Sequence, residues 1–367
     1  MLERIRKDLR KLMLLPGLSG YEGRVRRAIK SELSSANISS QTDRMGNLIA
    51  TIERDANAPS VMLFTHMDQL GFITKKIEPD GAIRVERMGG VPERALASQA
   101  VLFCVGEGRD VIGVIGNKSH HATGIKEKYE VLTATELSID TGYCSLKAVK
   151  SAGINIGTPV VYKPAFEELA EQRVAGTSVD DRAGCAVLLE VARHLIKKKN
   201  GPTVHLVFSV QEEFNLRGAV VAAQALTPDI AIQIDLMLAS DTPEMEAEGD
   251  MQLGGGAGIS LYSFHGRGTL NGVIPHPAMV SLFETASNQA ELPLQRSAQV
   301  GILTDLSYVQ LVGDGVASIN IGFPMRYSHS SLEVVDLNDL VSLAGLTNSA
   351  LALITPDFSL DRDDYLN

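Results

Sequence analysis

The spacing of apolar positions predicts two helices at the start of the chain, followed by strands. Residues 1 to about 36 carry apolar side chains at helical intervals, with an interruption at 16–20. Ser19 and Glu22 have the spacing of a capping box, which predicts that the second helix runs through 24–33. Apolar runs at 47–52 and 61–65 then predict two strands.

The pattern changes between about residues 71 and 162, where short β-rich runs alternate with turn residues. The predicted strands lie at 72–74, 83–87, 101–105, 111–115 and 159–161, and 145–152 has the pattern of a helix. Many short strands separated by glycines are typical of a small barrel or sandwich. We therefore predict a β-rich domain, residues 70–162, inserted into a domain formed by residues 1–69 and 163–367.

Beyond the insert, strands and helices alternate. Residues 180–199 have an apolar stripe, acids at the start and lysines at the end, as expected of an amphipathic helix aligned with its dipole. Further helices are predicted at 217–226, 275–292 and 337–354. Alternating strands and helices predict the α/β class: a three-layer α/β/α core with an inserted small β-barrel-like domain.

Composition and charge narrow the possible partners. The chain has 367 residues, 44% of them hydrophobic, and a formal net charge of -10, which argues against a nucleic-acid partner. The basic cluster Lys197–Lys199 is explained by the end of a helix.

No apolar run is long enough to span a membrane, and no secretory signal is evident. Cys104, Cys144 and Cys185 lack metal-site spacing, so we expect reduced core thiols and a cytoplasmic location.

Several apolar runs stop at an acidic or imidazole side chain. The residues at these positions are His66, Asp180, Glu212 with Glu213, Asp235 and His329. In a largely parallel sheet the carboxyl ends of the strands meet at one edge, so these residues can converge. Any one of them alone would more often be a cap or a surface group. Together they indicate a dinuclear metal hydrolase, with nitrogen and oxygen ligands that suit Zn, Co or Mn.

Paired acids suggest a division of labour within that site. Asp68 lies two positions after His66 at a strand end, so its carboxylate can face the imidazole and orient it. Asp180 begins a helix, where one carboxylate can bridge two ions. Of Glu212 and Glu213, one can ligate metal while the other serves as general base. The remaining histidines fit structural positions better, although His120 and His121 could face substrate.

Six motifs in order resemble the dinuclear metallo-aminopeptidases of family forty-two, which include glutamyl, deblocking and tetrahedral aminopeptidases. The motifs are Thr-His-Met-Asp at 65–68, Asp-Asp-Arg-Ala-Gly at 180–184, Gln-Glu-Glu at 211–213, Ile-Asp at 234–235 with Ser-Asp-Thr-Pro at 240–243, Thr-Asp at 304–305 and Arg-Tyr-Ser-His-Ser at 326–330. The resemblance covers nearly the whole chain. It implies a zinc-exopeptidase-like core.

The resemblance also implies a role for each candidate residue: His66 and Asp235 hold one ion, Glu213 and His329 hold the other, Asp180 bridges both, Glu212 is the catalytic base and Asp68 orients His66. Two divalent ions are implied, with Zn foremost and Co or Mn as alternatives. The implied substrates are short peptides. The implied assembly is a homo-oligomer built from dimers through the β-rich insert, with a hollow tetrahedral dodecamer as one form.

The sequence departs from the family pattern at three places outside the proposed ligands. Gln69 stands where relatives commonly have Glu, residues 117–121 read Asn-Lys-Ser-His-His instead of a Lys-Pro-Pro-His-like stretch, and 254–258 read Gly-Gly-Gly-Ala-Gly instead of a Gly-Lys-Gly-Pro-like loop. Each change bears on the substrate pocket. The sequence therefore defines the metal ligands better than the peptide specificity.

The main hypothesis is an aminopeptidase that releases N-terminal residues, and two alternatives stand beside it. A metal-dependent amide deacylase acting on a small amide or amino-sugar would use the same ligands. Direct glycoside cleavage fits poorly, because it needs two carboxyl groups free to flank the bond. The second alternative is a non-catalytic paralogue that serves as an assembly component, although none of the expected ligands is substituted.

Overall fold

The computed structural model describes residues 1–265 and 272–365. In chain order the helices are α1 (Leu2–Met13), α2 (Gly23–Ser35), α3 (Leu146–Ser151), α4 (Val179–Leu195), α5 (Gly218–Leu226), α6 (Pro277–Ala290), α7 (Leu306–Val309) and α8 (Leu337–Leu353). The strands are β1 (Gln41–Thr42), β2 (Leu48–Ile52), β3 (Val61–His66), β4 (Gly71–Ile77), β5 (Ile83–Met88), β6 (Ala100–Phe103), β7 (Val111–Ile115), β8 (Ile139–Asp140), β9 (Pro159–Tyr162), β10 (Phe166–Glu168), β11 (Arg173–Gly176), β12 (Val204–Ser209), β13 (Ile230–Leu238), β14 (Ala257–Phe264), β15 (Gly272–Val273), β16 (Leu294–Val300), β17 (Ala317–Arg326) and β18 (Glu333–Asp336).

A mixed 12-stranded sheet forms the middle layer of the main body. Its centre has the order β12-β3-β13-β17, and these strands run parallel to one another. On either side, β2 pairs with β12 and β18 pairs with β17 in antiparallel fashion. Since β12, β3, β13 and β17 point the same way, their carboxyl ends share one edge of the sheet.

Helices cover both faces of this sheet. In β3, Val61 and Leu63 pack into a core with residues of α1, α2, α4, α6 and α8. The alternate residues Met62 and Phe64 pack into a second core with residues of α5 and α7. Successive side chains of a strand point to opposite faces, so a strand buried on both sides is apolar throughout. The predicted three-layer α/β/α core is confirmed.

The inserted strands form a closed barrel in the order β4-β5-β8-β7-β6-β9. Its own core includes Phe72, Ile83, Val101, Phe103 and Val160. The sequence predicted a barrel or a sandwich, and the structure shows a barrel because the sheet closes on itself. A closed sheet has no open edge strand. The two-residue strand β8 was not predicted, since so short a segment has no periodicity to detect.

A salt bridge ties the barrel to the main body. The guanidinium of Arg24 on α2 contacts both carboxylate oxygens of Asp110, with Nη2 2.8 Å from Oδ1. A bidentate pair of this kind fixes orientation as well as distance. The barrel is therefore held against helix α2.

Two local predictions are wrong. Ser19 and Glu22 form no capping box, because α2 begins at Gly23 and the Ser19 hydroxyl donates instead to Asp68 Oδ2 at 2.6 Å. The three cysteines are not all core thiols: Cys185 is buried, whereas Cys144 is exposed and Cys104 is intermediate. In the described part of the chain, no helix has the length and apolarity needed to cross a membrane.

Candidate metal centre

The predicted ligands converge at the carboxyl edge of the central strands and form two groups. His66 at the end of β3, Asp235 in β13 and Asp180 at the start of α4 offer ligand atoms that all lie within 4.8 Å of one another. Asp180, Glu213 and His329 form a second group within the same limit. Asp180 belongs to both groups.

The carboxylate of Asp180 lies between the two imidazoles. Its Oδ1 is 3.0 Å from His66 Nε2, and its Oδ2 is 3.5 Å from His329 Nε2. His329 Nε2 is also 3.8 Å from Glu213 Oε1. One oxygen of Asp180 thus faces each group, which is the geometry that a carboxylate bridging two ions requires. Glu212 belongs to neither group but lines the same cavity.

Asp68 contacts several residues of this centre. Its Oδ1 is 3.5 Å from His66 Nδ1, at the outer limit of a hydrogen bond. The same carboxylate accepts hydrogen bonds from the backbone N–H groups of Glu212 at 3.0 Å and Glu213 at 3.1 Å. Together with the Ser19 hydroxyl, these contacts fix the turn that carries both glutamates. This second task was not predicted from the sequence.

Burial makes the carboxylates of the centre hard to ionise together. Desolvation, with neighbouring acids, raises the pKa of Glu213 to about 7 and that of Asp235 to about 8. Burial also raises the pKa of Glu212 well above its ordinary value, although His66 opposes this. Asp180 is the exception, because the two imidazoles outweigh its burial and hold its pKa low.

A divalent cation would offset this crowding of buried acids. The donor set offers two imidazole nitrogens and carboxylate oxygens, with no thiolate among the grouped residues. Such a set suits Zn, Co or Mn. The residues present therefore fit the divalent ions that the sequence implied.

Glu333 is a member of this centre that sequence reasoning missed. Its Oε2 accepts the backbone N–H of Asp180 at 3.1 Å, and its Oε1 accepts the backbone N–H of His329 at 2.7 Å. The carboxylate is buried, and desolvation with nearby Asp180 raises its pKa to about 8. The short strand β18, Glu-Val-Val-Asp, carries too little pattern to mark Glu333 as a site residue.

The centre opens into a cavity of about 350 Å³. Apart from the metal-site residues, aliphatic side chains form much of its wall: Leu216, Leu236, Leu238, Ile302 and Leu303. His265, which we predicted to be structural, also lines it. His120 and His121 are exposed and are not among the lining residues, so the structure does not place them against substrate in this subunit.

This fold and this donor set define a metal-dependent hydrolase with an α/β/α core. The chain belongs to the M42 glutamyl aminopeptidase family, whose sequence profile matches residues 46–346. It is 30% identical to a lysyl aminopeptidase of Pyrococcus furiosus over 96% of this chain and 98% of that protein. The chain is accordingly a metal-dependent aminopeptidase, a hydrolase of the exopeptidase type.

Solved structures agree with this assignment. An aminopeptidase from the archaeon Desulfurococcus kamchatkensis superimposes with a TM-score of 0.91 at 32% identity, covering 100% of this chain and 98% of that chain. The TET1 peptidase of Pyrococcus horikoshii, which can assemble into a tetrahedron or a large octahedral shell, gives a TM-score of 0.84 at 27% identity, with coverages of 95% and 99%. No described feature favours the amide-deacylase or the non-catalytic alternative.

Proposed function

We propose that this aminopeptidase uses two divalent ions to release the N-terminal residue from short peptides. His66 and Asp235 hold one ion, Glu213 and His329 hold the other, and Asp180 bridges them. The observation that carries the proposal is the position of Asp180, whose Oδ1 lies 3.0 Å from His66 Nε2 and whose Oδ2 lies 3.5 Å from His329 Nε2. Zinc is the proposed metal, with cobalt and manganese as the alternatives.

Glu212 is the proposed catalytic base. Bound divalent ions would supply Lewis acidity, which polarises a peptide carbonyl and makes water easier to deprotonate. Glu212 is free of both ligand groups and faces the cavity, so it can take a proton from the attacking water and return it to the leaving amine. Asp68 holds the backbone of Glu212 and so fixes where that carboxylate points.

Replacing Glu212 tests this assignment. We expect Glu212→Gln to keep both ions, because Glu212 is not a ligand, and to lower kcat by a factor on the order of 10² to 10⁴. Metal analysis and turnover of an aminoacyl-anilide are the measurements. Glu213→Gln is the contrasting variant, since it should lose metal as well as activity. A Glu212→Gln enzyme with normal kcat would remove the proposed base.

The cavity wall points to a class of substrate. Leu216, Leu236, Leu238, Ile302 and Leu303 present aliphatic surface, and the acids of the described lining are all assigned to the ions or to the base. We therefore propose that the pocket prefers a neutral aliphatic N-terminal residue. Leucyl-anilide should give a higher kcat/KM than the glutamyl and lysyl anilides. A glutamyl or lysyl preference would contradict this proposal and leave the metal assignment intact.

The barrel is proposed to serve assembly. We divide the chain into a catalytic domain, residues 1–69 and 163–367, and an inserted domain, residues 70–162, that mediates dimer contacts and substrate access. The tetrahedral assembly of the TET1 peptidase supports a homo-oligomer, with a tetrahedral dodecamer as one form. A cytoplasmic location is part of the same proposal. The mass of the purified protein in solution tests the assembly.

A further inference from the structure

One ligand of the second ion is held by the barrel. The ring of His329 lies against the loop between β5 and β6, and its Nδ1 is 2.9 Å from the carbonyl oxygen of Gly90. The other ring nitrogen, Nε2, faces Asp180 and Glu213 at 3.5 and 3.8 Å. The imidazole thus sits between a barrel carbonyl on one side and two carboxylates on the other.

This contact determines which nitrogen can bind a metal. A carbonyl oxygen only accepts, so Nδ1 must carry the proton that it donates to Gly90. In the neutral ring Nε2 is then unprotonated, and its lone pair points towards Asp180 and Glu213. A hydrogen bond of this kind fixes both the tautomer and the orientation of a ligating histidine.

The absence of a side chain at Gly90 leaves room for this ring. A β carbon at Gly90 would lie 2.8 Å from Nδ1 and 2.9 Å from Cε1 of His329. Apart from its chain neighbours, it would meet no other atom of the described residues within 4 Å. Gly90 is not among the glycines with positive φ, so its backbone is open to alanine. The glycine is therefore required by the imidazole and not by the turn.

The neighbouring glycine approaches the other ligand of the same ion. A β carbon at Gly89 would lie 3.4 Å from Glu213 Oε2. Consecutive barrel residues therefore adjoin both His329 and Glu213. By contrast, the ligands of the first ion come from β3, β13 and the start of α4 in the main body.

We propose that Gly90 is a positioning residue for the second ion: its carbonyl and its missing side chain hold His329 in the ligating tautomer and orientation. The affinity of that ion then depends on how the barrel loop sits against the main body. This inference rests on the proposed function, in which Asp180, Glu213 and His329 bind the second ion. The first ion should be independent of Gly90.

Gly90→Ala in the full chain tests the inference through metal binding. Equilibrium dialysis with Co²⁺ should show the first ion bound as in the wild type and the second bound roughly 10- to 100-fold more weakly. Gly124→Ala is the matched control, because Gly124 lies in the loop between β7 and β8 and an added β carbon has its nearest neighbour at 3.5 Å. The control should bind both ions normally.

A double-mutant cycle separates positioning from damage to the fold. If the added methyl acts through the imidazole, Gly90→Ala should not weaken the second ion or lower the melting temperature further in a His329→Ala background. An equal loss of melting temperature in both backgrounds would overturn the proposal, as would a Gly90→Ala protein that binds both ions normally. Wild-type protein that binds fewer than two ions would instead refute the proposed function.

Discussion

Asp68 shows how one buried carboxylate can organise several parts of a site. It receives hydrogen bonds from the Ser19 hydroxyl and from the backbone N–H groups of Glu212 and Glu213, and it lies 3.5 Å from the His66 ring. A residue before α2, a strand end and the acidic turn after β12 therefore meet at one side chain. Sequence spacing predicted only the contact with His66, because the other partners are remote in sequence.

Replacing this carboxylate by an amide should cost both stability and activity. Asn in place of Asp68 presents an NH₂ group to a backbone N–H, so one buried donor loses its acceptor. We expect Asp68→Asn to lower the free energy of unfolding by about 1–3 kcal/mol and to reduce kcat. Urea unfolding and steady-state kinetics measure these effects.

Ser19→Ala is the milder comparison for that variant, because it removes one donor and leaves the carboxylate. It should be more stable than Asp68→Asn and keep more of the activity. An Asp68→Asn protein with the stability and turnover of the wild type would show that these hydrogen bonds do not hold the acidic turn.

At the level of strands and helices, long apolar patterns were predictable and pairing was not. The sequence placed the end of a strand at Asp235, but β13 continues to Leu238 because its last residue pairs with Met325 of β17. Strands β14 and β16 were not predicted; in β16 the buried positions carry Ser297 and Gln299, so no apolar alternation marks the strand. A strand's ends are set by its partners, and one sequence does not name those partners.

The candidate site was more predictable than its surroundings for a related reason. Each proposed ligand follows or ends an apolar segment that the sequence displays, and parallel strands bring such positions to one edge. Glu333 acts through contacts that depend on how distant strands are arranged, and His265 reaches the cavity only through the same arrangement. Nothing in the spacing of Glu333 revealed that it would accept the N–H groups of both Asp180 and His329.

A contact between a loop and a helix gives a prediction about pH. Asp339 on α8 accepts the backbone N–H groups of Gly254 at 2.8 Å and Gly256 at 2.7 Å. Burial nevertheless raises its pKa to about 7. The folded state therefore binds this proton more tightly than the unfolded state, where the pKa is about 3.9. Its contribution to stability is present below pH ~4 and is lost as the pH rises to about 7.

Asp339→Asn should remove this part of the pH dependence. The difference in unfolding free energy between wild type and variant should shift in favour of the variant between pH ~4 and ~7, because only the wild type loses a proton there. Taking the difference cancels the other titrating groups. Asp250→Asn, at an exposed aspartate, is the control for the effect of the substitution itself. A flat difference for Asp339→Asn would contradict the prediction.

On the scale of the whole molecule, the metal centre joins segments that are far apart in the chain. The residues proposed as its ligands come from the end of β3, the start of α4, the turn after β12, strand β13 and the loop after β17. The sequence predicted this architecture because apolar strands and amphipathic helices alternate regularly there. It did not predict how the barrel would meet the centre, since that contact is made by the backbone of a loop.

Removal of the metal should therefore weaken the whole fold. Without a cation, buried Glu213 and Asp235, with pKa values raised to about 7 and about 8, become charged as the pH rises. We expect chelator-treated protein to melt at a lower temperature, with a deficit that grows as the pH rises from ~4, the pKa of the unfolded carboxylates, to about 8 and then levels off. An ion at 100 times its Kd adds about 2.7 kcal/mol to the free energy of unfolding, so added Zn²⁺ should restore the melting temperature. Mg²⁺ should restore it less well, because Mg²⁺ prefers oxygen ligands and gives up its water reluctantly. Scanning calorimetry at several pH values measures this, and a melting temperature indifferent to chelator at pH 9 would mean that cations do not hold these acids together.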